Sequence, residues 1–173
     1  MRRLLLGLVL ALGLGVALFQ LGALVFVKAY RLPTASMEPT VEMGDRVGVI
    51  RFVGRIEPDR GDIVAFRTPP RVAELCGQGG VFLKRIVGLP GERVLERRGA
   101  VFVNGARLEE PYVEAGRRGD VSGSWRVPRR SYFVLGDNRA QSCDSRVWGA
   151  VPEKNLIGEV FVTYWPPARI AIR

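Results

Sequence analysis

Residues 81–91 have the sequence Val81-Phe82-Leu83-Lys84-Arg85-Ile86-Val87-Gly88-Leu89-Pro90-Gly91. The first seven residues are mostly branched or aromatic, which is typical of a β-strand, and the last four have turn composition. Because strand residues alternate between two faces, Lys84 lies on one face and Arg85 on the other. Each face therefore carries one cation, and the alternation leaves open which face is buried.

Similar short apolar runs, separated by Gly, Pro, Asp and Asn, continue on both sides of this stretch. Asn104-Gly105 is a strong two-residue hairpin signal, and it joins 101–103 to 106–108. No run outside the N-terminus has the apolar spacing of an amphipathic helix, so we predict an all-β domain. Two long segments, 68–80 and 109–130, interrupt the pattern, and loops of such length are usually functional or disordered. The predicted strands are 46–52, 62–66, 81–87, 93–96, 100–103, 132–135 and 156–164.

The N-terminus contains an apolar segment from Leu4 to Val27 in which Gln20 is the only strongly polar side chain. As a helix it would span roughly 36 Å, enough for a hydrocarbon core of about 30 Å. A cleaved signal peptide is the alternative, but its apolar region is shorter, about 7 to 15 residues. We predict a single uncleaved transmembrane helix within residues 1–29, with a cytoplasmic N-terminus, and an extracytoplasmic domain of residues 30–173.

The composition restricts the chemistry. The chain has no histidine, which excludes hydrolases with an imidazole base and histidine-ligated zinc or haem sites. Its 26 Lys and Arg against 17 Asp and Glu give a net charge of +9, yet its only lysines are Lys28, Lys84 and Lys154. Lys84 alone lies within an apolar strand.

A hydrolase without histidine needs another base, and a lysine kept neutral by burial can serve. An exposed strand lysine is the alternative interpretation of Lys84. Ser36, between Pro33 and Pro39, is a candidate nucleophile, and a turn serine without a catalytic role is its alternative. Residues 136–149 are rich in Asp, Arg and Ser, and they form either a solvated loop or a buried network in which Asp137 or Asp144 pairs with Arg146.

The two cysteines, Cys76 and Cys143, are too few and too far apart for a metal site. We expect two free thiols. A disulfide is the alternative outside the cytoplasm, where a loop of this length would add about 4 kcal/mol of stability.

Four blocks together resemble the bacterial type I signal peptidases, which are Ser/Lys serine proteases. They occur in the family's order: Ser36-Met37-Glu38-Pro39-Thr40, Arg60 to Phe66, Lys84 to Glu92, and Gly136 to Gly149. The resemblance covers nearly the whole chain from about Tyr30 onward. It implies a β-rich catalytic domain without metal or cofactor, and an enzyme that removes signal peptides from exported preproteins.

The resemblance also implies roles for individual residues. Ser36 would be the nucleophile, Lys84 the general base, and Ser142 a hydrogen-bond partner that orients the lysine amine. Thr34, where serine or glycine is commoner, would join the Ser36 backbone N–H in binding the oxyanion. Asp144 and Arg146 would form a supporting ion pair, with Asp137 nearby.

The substrate would bind extended against a strand edge, in pockets for small side chains at the first and third positions before the cut. The positions at or near these pockets are Tyr30, Leu32, Pro33, Met37, Phe82, Leu83 and Cys143. The expected partners are preprotein signal peptides and the lipid of the plasma (inner) membrane, without nucleic acid. The alternative function is a basic, membrane-anchored binding module without catalysis. A self-cleaving repressor, which uses a related serine and lysine, is another alternative. We set it aside, because it predicts an N-terminal DNA-binding domain where this chain has the apolar segment.

Overall fold

The computed structural model describes Gly13 and residues 26–52 and 57–173, and its strands form two antiparallel sheets. The first sheet has the strand order β1-β2-β11-β3-β4-β9-β10, with β12 paired to β11. Its strands are β1 (Val27–Arg31), β2 (Arg46–Arg51), β3 (Ile63–Arg67), β4 (Val81–Gly88), β9 (Ser131–Leu135), β10 (Val151–Pro152), β11 (Leu156–Trp165) and β12 (Ala171–Ile172).

The second sheet is smaller and has the order β7-β6-β5-β8. Its strands are β5 (Arg93–Arg97), β6 (Ala100–Val103), β7 (Ala106–Arg107) and β8 (Gly123–Arg126). Asn104-Gly105 joins β6 to β7, and both residues have the positive φ that this turn requires. An apolar cluster from both sheets, including Val87, Val94 and Phe133, holds the two together.

Strand β4 is buried on both faces. From Leu83 to Gly88 every residue is buried, including Lys84 and Arg85. Lys84 lies opposite Val64 on β3, while Arg85 lies between Ile63 of β3 and Leu135 of β9. The alternation in the sequence could not show which face of this strand is buried, because both faces are covered.

The prediction of a mainly β domain is confirmed, and all seven predicted strands are present with shifts of at most one residue at their ends. Strands β1, β8, β10 and β12 were not predicted. The described residues also include two short α-helices, α1 (Arg71–Cys76) inside the 68–80 segment and α2 (Ser145–Trp148). Both are too short for the apolar spacing from which helices are predicted.

The predicted membrane anchor, residues 4–27, lies almost wholly outside the described residues. Val27, which the sequence places at the end of the anchor, is the first residue of β1. Within the described ranges, no helix is long and apolar enough to cross a membrane.

The expectation of two free thiols is wrong, because Cys76 and Cys143 form a disulfide. Helix α1 brings Cys76 beside the loop that precedes α2, so the two α-carbons lie 6.0 Å apart despite a sequence separation of 67 residues. Such proximity depends on the tertiary fold and leaves no signal in the spacing of the cysteines.

Candidate active site

Ser36 and Lys84 meet in the lining of a cleft. The Nζ atom of Lys84 lies 2.6 Å from Oγ of Ser36, within hydrogen-bond distance. Both side chains are buried, with 3% of Lys84 and 8% of Ser36 exposed. Ser36 lies in the turn after β1, and Lys84 projects from the middle of β4, so the fold brings together two residues that are 48 positions apart in sequence.

Burial lowers the pKa of Lys84 to about 8, because desolvation disfavours the ammonium form. The carboxylates of Asp144 and Asp137 oppose this effect, and the Arg146 guanidinium adds to it. At pH 7 about a tenth of such lysines are neutral, whereas at the ordinary pKa fewer than one in a thousand would be. The environment of Lys84 therefore suits a general base.

Two candidate oxyanion donors lie beside the serine. The Thr34 hydroxyl oxygen is 3.2 Å from Oγ of Ser36. Within the described part of the chain, no group accepts a hydrogen bond from the backbone N–H of Ser36. Both groups are therefore available as donors beside the Ser36 hydroxyl.

The loop of residues 136–146 lies behind the serine and is held by a buried ion pair. Arg146 Nε donates to Asp144 Oδ1 at 2.8 Å, so of the two predicted candidates Asp144 is the partner of Arg146. Asp144 Oδ2 also accepts from the backbone N–H of Gly136. A Cβ atom at Gly136 would lie 2.4 Å from the Ser36 carbonyl oxygen, so only glycine allows this close approach.

The predicted hydrogen bond between Ser142 and Lys84 is absent. The Ser142 hydroxyl is buried and has no hydrogen-bond partner among the residues described. It packs on the α-carbon of Gly136, where an added Cβ would lie 2.3 Å from its oxygen. The lysine amine is hydrogen-bonded to Ser36 instead, so the structure does not give Ser142 the orienting contact that the resemblance implies.

Asp137 pairs with Arg85, the neighbour of Lys84 on β4. Arg85 donates to both carboxylate oxygens of Asp137, at 2.6 and 2.8 Å. The next residue, Asn138, donates its backbone N–H to the Ser36 carbonyl and its side-chain amide to the Ala35 carbonyl. Neither Arg85 nor Asn138 was predicted as a site residue, although both belong to the blocks that carry the resemblance.

The cleft has a volume of about 290 Å³. The predicted pocket residues that line it are Tyr30, Leu32, Pro33, Phe82, Leu83 and Cys143. Met37 is not among the lining residues, because its side chain is fully buried in the core with Val41 and Val47. Gln78 and Gln141 line the cleft and were not predicted.

A family model and individual relatives both match this chain to the signal peptidases, the family that its sequence motifs resemble. The family model described as signal peptidase, peptidase S26, matches residues 4–165. A probable signal peptidase I-2 of Synechocystis is 40% identical over 154 residues, which cover 88% of this chain and 70% of that protein. A signal peptidase I of Leptolyngbya laminosa is 41% identical over 163 residues, or 92% of this chain and 79% of the relative.

A solved structure shows the same fold. The crystal structure of a signal peptidase I from Enterococcus faecalis superposes with a TM-score of 0.50 at 32% identity. The match covers 61% of this chain and 98% of the other chain. With the family match over most of its length and relatives at about 40% identity, the chain belongs to the signal peptidase family, peptidase S26.

Proposed function

We propose that this peptidase is a membrane-anchored serine endopeptidase that removes signal peptides from exported preproteins, with Ser36 as nucleophile and Lys84 as general base. The observation that carries the proposal is the buried 2.6 Å contact between Lys84 Nζ and Ser36 Oγ in the lining of the cleft. A serine hydroxyl beside a lysine that is partly neutral at pH 7 is an activated nucleophile.

In the acylation step, the neutral amine of Lys84 takes the hydroxyl proton as Ser36 Oγ attacks the scissile carbonyl carbon. The resulting oxyanion accepts hydrogen bonds from the Ser36 backbone N–H and the Thr34 hydroxyl. As the tetrahedral intermediate collapses, the C–N bond breaks and the Lys84 ammonium protonates the leaving amine. The signal peptide then remains attached to Ser36 through an ester.

In the deacylation step, Lys84 is neutral again and takes a proton from the attacking water. The second tetrahedral intermediate collapses with cleavage of the ester, and Lys84 returns the proton to Ser36 Oγ. Asp144 and Asp137 each raise the pKa of Lys84, so their carboxylates partly offset the lowering of this pKa by burial. A pKa near 8 lets one residue act as base and as acid at neutral pH.

The cleft fits an extended peptide with small side chains near the cut. In the described chain, β1 is an edge strand, and residues Val81–Lys84 of β4 pair with β3 on one side only. A substrate strand can therefore hydrogen-bond to free main-chain groups near Ser36. Leu32, Phe82 and Leu83 line the cleft. We expect these apolar side chains to bound shallow pockets that accept alanine or glycine at the first and third positions before the cut.

The order of segments along the chain supports a membrane position for the site. Ser36 lies nine residues after Val27, the end of the apolar segment, so the nucleophile is within about 30 Å of the membrane boundary. The Cys76–Cys143 disulfide favours a catalytic domain outside the cytoplasm, where disulfides persist. Both features support the proposal that the site lies where signal peptides emerge.

The test is cleavage of a purified preprotein by the full chain in detergent or in vesicles. We expect cleavage after Ala-x-Ala, identified by sequencing the new N-terminus of the product. A preprotein with Trp at the position before the cut should be resistant, because the proposed specificity is for small side chains at this position. Absence of cleavage, together with salt-sensitive binding to anionic vesicles, would contradict the proposal and support a binding module.

A further inference from the structure

The long segment between β7 and β8 contributes a buried carboxylate to the back of the candidate site. Glu110 pairs with Arg139, and both side chains are almost completely inaccessible, at 1% and 0% exposure. Two hydrogen bonds join them, from Arg139 Nη2 to Glu110 Oε1 and from Nη1 to Oε2, the latter at 3.3 Å. Arg118, in the same segment, also approaches Glu110, at 3.7 Å.

Arg139 connects this carboxylate to the turn that carries Ser36. Its Nε donates to the Gly136 carbonyl at 2.8 Å, and Gly136 packs directly on the Ser36 carbonyl oxygen. Asn138, next to Arg139, donates its backbone N–H to the same Ser36 carbonyl. A displacement of Arg139 would therefore move groups that touch the backbone of Ser36.

Tyr112, two residues after Glu110, makes a second contact with the site. Its ring lies under the guanidinium of Arg85, whose Cζ atom is 4.0 Å from the ring centroid. Arg85 in turn holds Asp137 through two hydrogen bonds. Stacking on an aromatic ring fixes the plane of a guanidinium group, and it therefore fixes how Arg85 presents its donors to Asp137.

A third contact reaches the Ser36 turn itself. Arg117 Nη1 donates to Glu38 Oε2 at 3.0 Å, and Glu38 lies two residues after Ser36. This pair is partly exposed, so its energetic contribution is small. Its position shows that residues 110–117 contact the Ser36 turn, the 136–146 loop and Arg85 at three separate points.

We propose that residues 110–117 form a brace that positions the Ser36 turn against Lys84, with Glu110 and Tyr112 as its positioning residues. Neither residue touches the reacting atoms. Glu110 acts through Arg139 on the 136–146 loop, and Tyr112 acts through Arg85 on Asp137. This inference rests on the proposed peptidase activity, because it assigns what holds that site together.

The experiment measures kcat and KM for preprotein cleavage by the full chain carrying Glu110→Gln, Glu110→Asp or Tyr112→Leu. Small displacements of reacting groups are costly in rate, so we expect kcat to fall about 10- to 100-fold in Glu110→Gln. KM should stay within about twofold, because the cleft is lined by other residues. Glu110→Asp keeps the charge and should recover part of kcat.

Two matched controls separate positioning from general stability. Glu109→Gln removes the exposed neighbouring carboxylate and should leave kcat unchanged. Glu92→Gln weakens another bidentate pair, with Arg60 at 2.7 and 2.9 Å. In the described residues, the other side-chain hydrogen bonds of this pair do not go to the 136–146 loop but to Val87, Leu89 and Asn104. All rates are compared at a temperature where the thermal unfolding curve of each variant shows a folded protein.

Tyr112→Leu keeps the inference testable where Glu110→Gln does not fold, because it leaves all buried charges paired. We expect it to lower kcat at unchanged KM. Tyr112→Phe keeps the ring on Arg85 and loses only the 3.4 Å hydrogen bond from the Tyr112 hydroxyl to Glu110 Oε1, so it should retain most of kcat. The inference is overturned if folded Glu110→Gln and Tyr112→Leu keep wild-type kcat, or if Glu92→Gln lowers kcat equally. Absence of cleavage by the wild-type chain would instead refute the proposed function.

Discussion

Lys84 and Arg85 are consecutive residues of β4, yet they belong to two different buried networks of hydrogen bonds and ion pairs. Lys84 contacts Ser36 on one side of the sheet, and Arg85 holds Asp137 on the other. The strand thereby supplies the candidate base from one face and, from the other, the contact that fixes the loop behind the nucleophile. Both networks converge on the turn that contains Ser36, since Asn138 follows Asp137 and binds the Ser36 carbonyl.

The rate of cleavage should depend on pH through the protonation of Lys84. With the pKa of Lys84 lowered to about 8, kcat/KM should rise about tenfold per pH unit below pH 8 and level off above it. The measurement is cleavage rate against pH at low substrate concentration. A rate that is constant between pH 6 and pH 9 would be incompatible with Lys84 as the base.

Asp144→Asn should shift this pH profile in a defined direction. The Asp144 carboxylate raises the pKa of Lys84, so its neutralisation leaves the ammonium form less favourable. The midpoint of the acid limb should therefore move to lower pH, while the maximal rate falls because the Arg146 pair is lost. Glu153→Gln, at a partly exposed pair with Arg130, is a control and should leave the midpoint unchanged.

Burial of Lys84 should reduce stability, and Lys84→Met should restore it. The folded pKa of about 8 lies below the ordinary value of 10.5, so between these values the unfolded chain binds more protons. The free energy of unfolding of the wild type should therefore rise from pH 8 to pH 10.5. Below pH 8 the full penalty applies, and Lys84→Met should be more stable by about 2 kcal/mol, allowing for the lost hydrogen bond.

This prediction is checked by urea unfolding of both proteins at pH 7 and pH 10. The difference in stability should be large at pH 7 and smaller at pH 10. A Lys84→Met variant that is less stable than the wild type at pH 7 would show that Lys84 is not desolvated as the structure implies.

The Thr34 hydroxyl should contribute to the rate as an oxyanion donor. Thr34→Val keeps the shape of the side chain and removes the donor, so kcat should fall about 10- to 100-fold with little change in KM. Thr34→Ser keeps the hydroxyl and should remain active. Equal rates for the valine and serine variants would exclude this role.

The disulfide should stabilise the domain. Closing a loop of 67 residues reduces the entropy of the unfolded chain, by about 4 kcal/mol in the chain-entropy model. Reduction, or the Cys76→Ser variant, should lower the free energy of unfolding by up to that amount. Denaturant unfolding with and without reductant measures the difference, and an unchanged midpoint would contradict the expectation.

The sequence predicted the sheet because the strands have clear apolar patterns and turn residues at their ends. It missed β8, because Gly123–Arg126 is short and lies in a polar segment, and it missed α1, because six residues show no helical period. Gly77, which ends α1 with φ of 70°, was one local signal for a helix end.

The candidate site was predictable only in part. The absence of histidine and the apolar surroundings of Lys84 were sufficient to propose it as a base, and the resemblance supplied Ser36. The partners of Arg85, Arg139 and Cys76 lie in distant segments of the chain, and local sequence patterns do not show which distant segments pack together. Glu110 is the clearest case, because nothing in residues 109–130 distinguishes it from its exposed neighbour Glu109.

The most direct test of the Ser36–Lys84 mechanism is the cleavage rate of a preprotein with an Ala-x-Ala site by Ser36→Ala and Lys84→Ala. Ser124→Ala and Lys154→Ala, at exposed positions, are the matched controls. The mechanism predicts that both site variants are folded and lose cleavage by at least about a thousandfold, while both controls cleave at the wild-type rate. Cleavage at the wild-type rate by Lys84→Ala would contradict the mechanism.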